Sequence, residues 1–226
     1  MAFSIDEKLK LAMEKCDGVY TNTFKFSTIY PFATENISAY LPLFDLKDKS
    51  LFTVGSSGDQ ALNAILCGAS DITIFDICPF TREYFYLKRA AIETLTIVDF
   101  LKFFCYKKFP FSFTDNKRAF DIDLYLQVRE ALQKYGDIQY FWDELFKKYS
   151  GVVIRKQLFN MDENKYKLIK RINNYLNSND NYNDLRNIID KVNVKFVQGD
   201  IFKDEIIGTF DNILLSNLSS YYSLFK

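Results

Sequence analysis

The sequence predicts an α/β protein whose parallel sheet is interrupted by a large helical insertion. A short apolar run at 50–54 is followed by a glycine-containing loop, a helix-forming segment and a second apolar run at 71–76. Two further β-like runs, 192–197 and 210–215, come only after a long stretch of helical periodicity. Strands that alternate with helices in this way are typical of parallel sheets, because parallel strands need a crossover connection.

The chain ahead of the first strand, residues 1–49, is predicted to be a helical segment that could serve as a lid. Apolar residues recur among charges at helical spacing over 5–17, which indicates an amphipathic helix. Residues 28–32 are expected to be extended, because proline restricts the residue that precedes it. A short helix is then expected to begin at Thr34 as its N-cap and to end at Pro42.

Residues 50–96 carry the clearest pattern, a βαβ unit that predicts the first half of a Rossmann-like domain. The first strand ends at the loop 55–59, a helix follows, and the second strand ends at Asp76. Another helix is expected over 80–94, with Pro79 near its start. Crossovers of this kind are right-handed in nearly all known proteins, and they bring the loop and the acid to one edge of the sheet.

Residues 97–191 are predicted to form a helical insertion, because the 115 residues between the second and third strands contain no convincing strand. An ordinary βαβ unit needs only a few tens of residues. Apolar residues recur at helical spacing in four segments, 124–135, 138–149, 165–176 and 185–192. The asparagine-rich run 177–184 is expected to be a loop. The Rossmann-like domain resumes over 192–226, where the sheet is expected to be small or C-terminally incomplete.

Composition narrows the classes of function. The 29 basic and 29 acidic residues give a formal net charge of zero, so we expect no general nucleic-acid binding. The absence of histidine excludes histidine-based triads and metal sites that need an imidazole, and the four cysteines form no Cys-x-x-Cys pair. We therefore predict no metal site.

Localisation follows from what the sequence lacks. No stretch approaches the ~20 apolar residues of a membrane span, and the first residues have no signal-like apolar core. A cytoplasmic location is expected. The aromatic and lysine-rich stretch 103–111 leaves a position at the membrane surface open, although packing of the insertion onto its parent domain explains the stretch better.

The glycine loop and the acid at the second strand tip indicate an adenosine-containing ligand. Asp76 lies 21 residues after Gly55, where a carboxylate can accept both hydroxyls of a ribose. The dinucleotide fingerprint needs a third small residue where Asp59 and Gln60 stand. A carboxylate there repels a pyrophosphate and attracts a sulfonium or an α-amino group. We therefore predict S-adenosylmethionine as the cofactor, ahead of NAD.

Three stretches, 51–62, 74–79 and 87–92, resemble one family of enzymes. They are similar to the S-adenosylmethionine-dependent 3-amino-3-carboxypropyl transferases that begin betaine-lipid synthesis, and to bacterial relatives of those enzymes. The likeness covers about residues 50–105 and returns at 197–200 and 210–217. It implies a class I methyltransferase-like fold.

The resemblance also implies a set of ligand-binding residues. The methionine part of the cofactor would lie against the loop residues Gly55, Ser56, Ser57, Gly58 and Asp59, the ribose and adenine against Asp76, Ile77, Asp200 and Ile201, and the sulfonium beneath Ser216 and Asn217. Tyr30 and Glu35, upstream of the first strand, would be lid residues and are the candidates for a catalytic base. The lipid enzymes tend to carry an aspartate and a histidine where this chain has Ser216 and Asn217, so the acceptor is left open.

Together these patterns predict a transferase that moves a methyl or a 3-amino-3-carboxypropyl group to an acceptor, either a small molecule or a lipid head group. A sulfonium already activates its carbons, so the protein mainly holds a nucleophile in line and excludes water. Two alternatives stay open: a non-catalytic nucleotide-binding or interaction module on the same fold, and an NAD-dependent oxidoreductase. An incomplete sheet would leave a strand edge along which a second copy of the chain could pair.

Overall fold

The sheet has four strands among the residues that the computed structural model describes. These residues are 3–19, 26–105, 120–159, 166–216 and 218. The strands are β1 (Ser50–Val54), β2 (Asp71–Asp76), β3 (Asn193–Gln198) and β4 (Asn212–Leu214). All pairings are parallel and the spatial order is β3-β2-β1-β4. This confirms the α/β class with a parallel sheet, in an order compatible with a Rossmann-like fold.

Helices make up most of the remaining described chain. They are α1 (Ile5–Cys16), α2 (Ile37–Tyr40), α3 (Asp59–Leu66), α4 (Thr81–Thr94), α5 (Ile97–Phe104), α6 (Ile122–Leu132), α7 (Asp137–Lys148), α8 (Gly151–Leu158), α9 (Tyr166–Ile172) and α10 (Asn179–Ile188). Short 3-10 turns follow α2 at Leu41–Leu43, α6 at Gln133–Tyr135, α9 at Asn174–Leu176 and α10 at Ile189–Lys191.

The two faces of the sheet are covered differently. Side chains alternate along a strand, so Ile74 and its β3 partner Phe196 share a face. That face packs on α4, where the ring of Phe85 lies 5.4 Å from the ring of Phe196. On the opposite face, the ring of Phe52 lies 5.2 Å from that of Phe210, in the connection between β3 and β4. One face therefore meets the helices and the other meets this connecting segment.

The helical region and the sheet share one apolar core. Buried side chains from all four predicted segments, 1–49, 50–96, 97–191 and 192–226, join it, and that division of the chain stays a prediction. Trp142 of α7 is fully buried, and its indole N–H donates to the backbone oxygen of Glu83 at 3.0 Å. Phe103 and Phe104 are also fully buried, so the described part of the aromatic stretch 103–111 packs inside the protein.

Two local predictions were wrong. The run 177–184 is not a loop, because α10 begins at Asn179 and the hydroxyl of Ser178 accepts the N–H of Asn181 at 3.1 Å. Serine and asparagine favour helix starts as well as loops, and burial of Tyr182 stabilises the helical choice. Thr34 is not an N-cap either, since α2 begins three residues later at Ile37.

Candidate functional site

Cavities open at the carboxyl edge of the sheet, next to the point where the strand order reverses between β1 and β4. Open α/β sheets bind ligands in such a crevice. A narrow cavity of about 40 Å³, here called the loop cavity, is lined by Tyr30, Phe32, Ala33, Thr34, Glu35, Gly55, Ser56, Ser57, Gln60 and Ser216. A wider cavity of about 340 Å³, the β4 cavity, shares Glu35, Gln60 and Ser216 with it and adds Tyr40, Ile213, Leu214 and Leu215.

A third cavity, of about 220 Å³, lies over the ends of β2 and β3. Its lining includes Asp76 and Gln198 at the ends of the strands and Thr81 at the start of α4. Lys8 of α1 and Phe3, just before that helix, complete this part of the lining. Asp76 stands between this β2–β3 cavity and the loop cavity. The three cavities thus follow one edge of the sheet.

The loop after β1 needs glycine at its first position for space. A Cβ built on Gly55 would lie 2.4 Å from Cγ2 of Thr81 and 2.8 Å from Oδ2 of Asp76. Gly58, the N-cap of α3, has φ +77°, a left-handed conformation that costs glycine little. The loop therefore turns tightly from β1 into α3 and leaves Ser56 exposed at the edge.

Asp76 fixes this loop to the end of β2. One carboxylate oxygen accepts the N–H of Ser56 and the other accepts the N–H of Cys78, at 2.8 Å for Cys78. Burial raises the pKa of Asp76, and the hydrogen bonds from the two backbone N–H groups oppose that rise. The carboxylate thus lies at the end of β2 and organises the backbone of the loop, and its contact with a ribose stays a prediction.

Glu35 is the carboxylate of the loop and β4 cavities. It accepts hydrogen bonds from the hydroxyl of Ser216, from the hydroxyl of Tyr40 at 3.3 Å and from the amide of Gln60 at 3.3 Å. Burial raises the pKa of Tyr40, which keeps its hydroxyl protonated as a donor. No lysine or arginine is among the described residues that line these two cavities. The lining therefore favours a cationic group over an anionic one.

The carboxylate of Asp59 does not line the cavities, where the sequence predicted it. Asp59 is fully buried and forms an ion pair with the fully buried Lys88 of α4. Its carboxylate also accepts the hydroxyl of Tyr175 at 2.7 Å and the N–H of Ala33 at 2.6 Å. A buried ammonium needs such a partner, so this carboxylate faces the core and not the cavities. The predicted direct contact between Asp59 and a ligand is corrected accordingly.

The remaining predicted residues divide into three groups. Tyr30 and Ser57 line the loop cavity with Glu35, and Ile77 is half-buried directly after Asp76. The carboxylate of Asp200 instead binds residues close to it in the chain: it accepts the N–H of Phe202 at 3.1 Å and forms an ion pair with Lys203 at 2.9 Å. Ile201 is half-buried. Asn217 lies outside the described residues.

Sequence reasoning missed four residues that organise the site: Tyr40, Gln60, Lys88 and Tyr175. Gln60 was considered only as an obstacle to a pyrophosphate, yet its amide donates to Glu35 and to the hydroxyl of Tyr40. The other three belong to segments that are distant along the chain, and no local motif links them to the loop. Only the tertiary structure brings them together.

Comparison with known proteins adds no family to this description: no family model, curated protein or solved structure matches the chain. Within the described residues, no cluster of three or more histidine, cysteine or acidic side chains could hold a metal ion. The described helices include none that is long and apolar enough to cross a membrane. The structure thus defines an α/β protein with a carboxylate-bearing crevice at its sheet edge.

Proposed function

We propose that this chain is an S-adenosylmethionine-dependent transferase with a class I methyltransferase-like fold, moving a methyl or a 3-amino-3-carboxypropyl group to an acceptor. The observation that carries the proposal is the carboxylate of Glu35, which stands at the switch point of the sheet where no described lysine or arginine lines the cavity. A sulfonium and an α-amino group are cations that this carboxylate attracts. A pyrophosphate would be repelled there, which disfavours NAD.

The polar groups along this edge of the sheet suit the methionine end and the adenosine end of such a cofactor. The methionine portion would lie beside Ser56 and Glu35, and the ribose beside Asp76 with the β2–β3 cavity for the base. Gly55 lets the loop pass close to Asp76 and Thr81, because a side chain there would meet both residues. The loop cavity alone, at about 40 Å³, is far smaller than the ~300–1,000 Å³ of ligand pockets. Binding therefore requires the Glu35–Ser216 contact to open.

Once bound, the cofactor would supply an activated carbon next to a leaving thioether. The protein's own part is to orient the acceptor and to handle its proton. Tyr40 and Ser216 can orient a polar group in the β4 cavity, and either oxygen of Glu35 can receive the proton that the nucleophile loses. Leu214 and Leu215 form the apolar wall of that cavity, which limits competing attack by water.

Calorimetric titration with S-adenosylmethionine tests the proposal directly. We expect micromolar binding to the wild type, loss of binding in Asp76→Ala, and at least about tenfold weaker binding in Glu35→Gln, which removes the charge but keeps the shape. The matched control is Asp71→Ala, which removes a carboxylate at the opposite end of the same strand. Tighter binding of NAD than of S-adenosylmethionine, or no binding of S-adenosylmethionine, would overturn the proposal.

The products identify the transferred group. After incubation with candidate acceptors, S-adenosylhomocysteine marks methyl transfer and methylthioadenosine marks aminocarboxypropyl transfer. The second candidate function is a non-catalytic nucleotide-binding module, because the loop after β1 and Asp76 at the end of β2 could bind a nucleotide without catalysing a transfer. Binding that is lost in Asp76→Ala, with neither product formed from any acceptor, would select this second function.

A further inference from the structure

A buried ion pair lies directly beneath the loop cavity. Lys88 of α4 and Asp59 of α3 are both fully buried and in contact. The ammonium of Lys88 also donates to the backbone oxygen of Ser57 at 3.0 Å, and it lies 4.5 Å from the ring centre of Phe32. Ser57 and Phe32 line the loop cavity. Lys88 of this ion pair thus contacts two of the residues that line the loop cavity.

The same pair connects the N-terminal segment and the helical region. Asp59 accepts the N–H of Ala33, a third lining residue, and the hydroxyl of Tyr175 in the 3-10 turn Asn174–Leu176. Ala33 precedes Glu35 by two residues. A hydrogen bond to a carboxylate that Tyr175 helps to hold in place therefore fixes the backbone two residues before Glu35.

Stability alone does not account for this arrangement. Replacing a buried ion pair by apolar side chains of similar volume is often neutral or stabilising, because the desolvation of two charges offsets their attraction. Burial accordingly lowers the pKa of Lys88, against the opposing effect of Asp59. What the pair provides, beyond packing, is a fixed geometry for the groups that hydrogen-bond to it.

We propose that Asp59, Lys88 and Tyr175 are positioning residues that hold Ala33 and Ser57 at the spacing a ligand requires, and so make the helical region part of the site. The ligand-binding consequence rests on the proposed function. The positioning itself does not, because it concerns contacts that the protein makes without a ligand.

Tyr175→Phe tests the proposal with Tyr182→Phe as its matched control. Each variant removes one hydroxyl from a fully buried tyrosine and keeps the ring. The hydroxyl of Tyr175 donates to Asp59, whereas that of Tyr182 donates to backbone oxygens of Ala91 and Leu95, away from the cavity lining. A purely structural role predicts similar effects of both changes. A positioning role predicts effects at the cavity for Tyr175→Phe alone.

Two measurements are needed, amide hydrogen exchange over 32–36 and the dissociation constant for S-adenosylmethionine. We expect faster exchange of the Ala33 amide in Tyr175→Phe, with about fivefold weaker binding, and changes of less than about twofold in Tyr182→Phe. Unchanged exchange in Tyr175→Phe, or equal changes in both variants, would overturn the inference. If the wild type binds no S-adenosylmethionine, the proposed function fails while the exchange data still decide the positioning role.

A second variant separates positioning from stability. The double substitution Asp59→Asn with Lys88→Met removes both charges and leaves no unpaired buried ion. We expect this variant to fold, and the fluorescence of Trp142 should show that its side chain is still buried. It should bind S-adenosylmethionine about tenfold more weakly than the wild type. Exchange of the Ala33 amide should be faster than in the wild type. Wild-type exchange at Ala33 in this folded double variant would refute the positioning role.

Discussion

Substitution of Gly55 by alanine should destabilise the fold at the carboxyl edge of the sheet, through atomic overlap alone. The added Cβ would lie 2.4 Å from Cγ2 of Thr81, 2.8 Å from Oδ2 of Asp76 and 2.9 Å from Cγ2 of Ile74. Thr81 and Ile74 are buried, so neither can move into solvent. The φ of Gly55 is outside the left-handed range, which means that no backbone strain adds to the overlap.

The magnitude follows from the cost of overpacking a core. Inserting a methyl group into well-packed surroundings typically costs about 1–3 kcal/mol. With three contacts below 3.0 Å we expect about 2 kcal/mol. For a chain of this size, that loss lowers the Tm by about 4–8 °C.

Urea unfolding followed by fluorescence of Trp142, the only tryptophan, measures this loss. Thr81→Ser removes the nearest methyl group, so the double variant Gly55→Ala/Thr81→Ser should recover at least about 1 kcal/mol relative to the sum of the single changes. Gly18→Ala is the control, because nothing lies within 4 Å of its Cβ and only its φ of +80° adds a cost of about 1 kcal/mol. A loss below about 0.5 kcal/mol for Gly55→Ala, or strict additivity in the double variant, would refute the reasoning.

Three further predictions concern the stability and reactivity of the fold. Ser178→Ala should cost about 1 kcal/mol in urea unfolding because its hydroxyl caps α10, whereas Ser150→Ala, at an N-cap without a side-chain hydrogen bond, should cost less than about 0.5 kcal/mol. Cys67, the half-buried thiol, should react first with a disulfide reagent in the native protein. Burial raises the pKa of the other thiols to about 12, and they should react only after unfolding: Cys16, Cys78 and Cys105. Burial alone would raise the pKa of Asp190, but hydrogen bonds from Lys134 and neighbouring groups lower it from 3.8 to about 2. The stabilisation from this carboxylate should be complete above about pH 4 and lost as the pH falls through about 2, so Asp190→Asn should flatten that part of the urea-stability profile, less so at high salt.

The sheet was the most predictable part of the molecule. Each strand is a short apolar or alternating run bounded by loop residues, so its position depends mainly on local sequence. The predicted runs 50–54 and 71–76 match β1 and β2, while 192–197 and 210–215 overlap β3 and β4 with ends displaced by one to two residues. The run 177–184 failed because its residues favour a loop and a capped helix start alike, and tertiary burial decided between them.

The candidate site was predictable only where it is local. The loop 55–58 and Asp76 follow directly from strand ends, and the structure brings them into contact. The sequence suggested Asp59 as the charge that meets the ligand, because proximity to the loop was the only evidence available. The choice between Asp59 and Glu35 depends on the buried Lys88, and only tertiary structure shows that this lysine occupies the first carboxylate and leaves the second facing the cavities.

Among the described residues β4 is the strand at one edge of the sheet, and this part of the site should be less stable than the core. Three residues pair it with β1, and Ile213 within it is 54% exposed, whereas the neighbouring β1 residue Leu51 is fully buried. Proteins open locally where buried contacts are few, at a free energy well below that of global unfolding. Detachment of β4 would remove Leu214 and Leu215 from the wall of the β4 cavity while the helical core stays folded. The proposed binding of S-adenosylmethionine should therefore be lost on heating before the fluorescence of Trp142 reports unfolding.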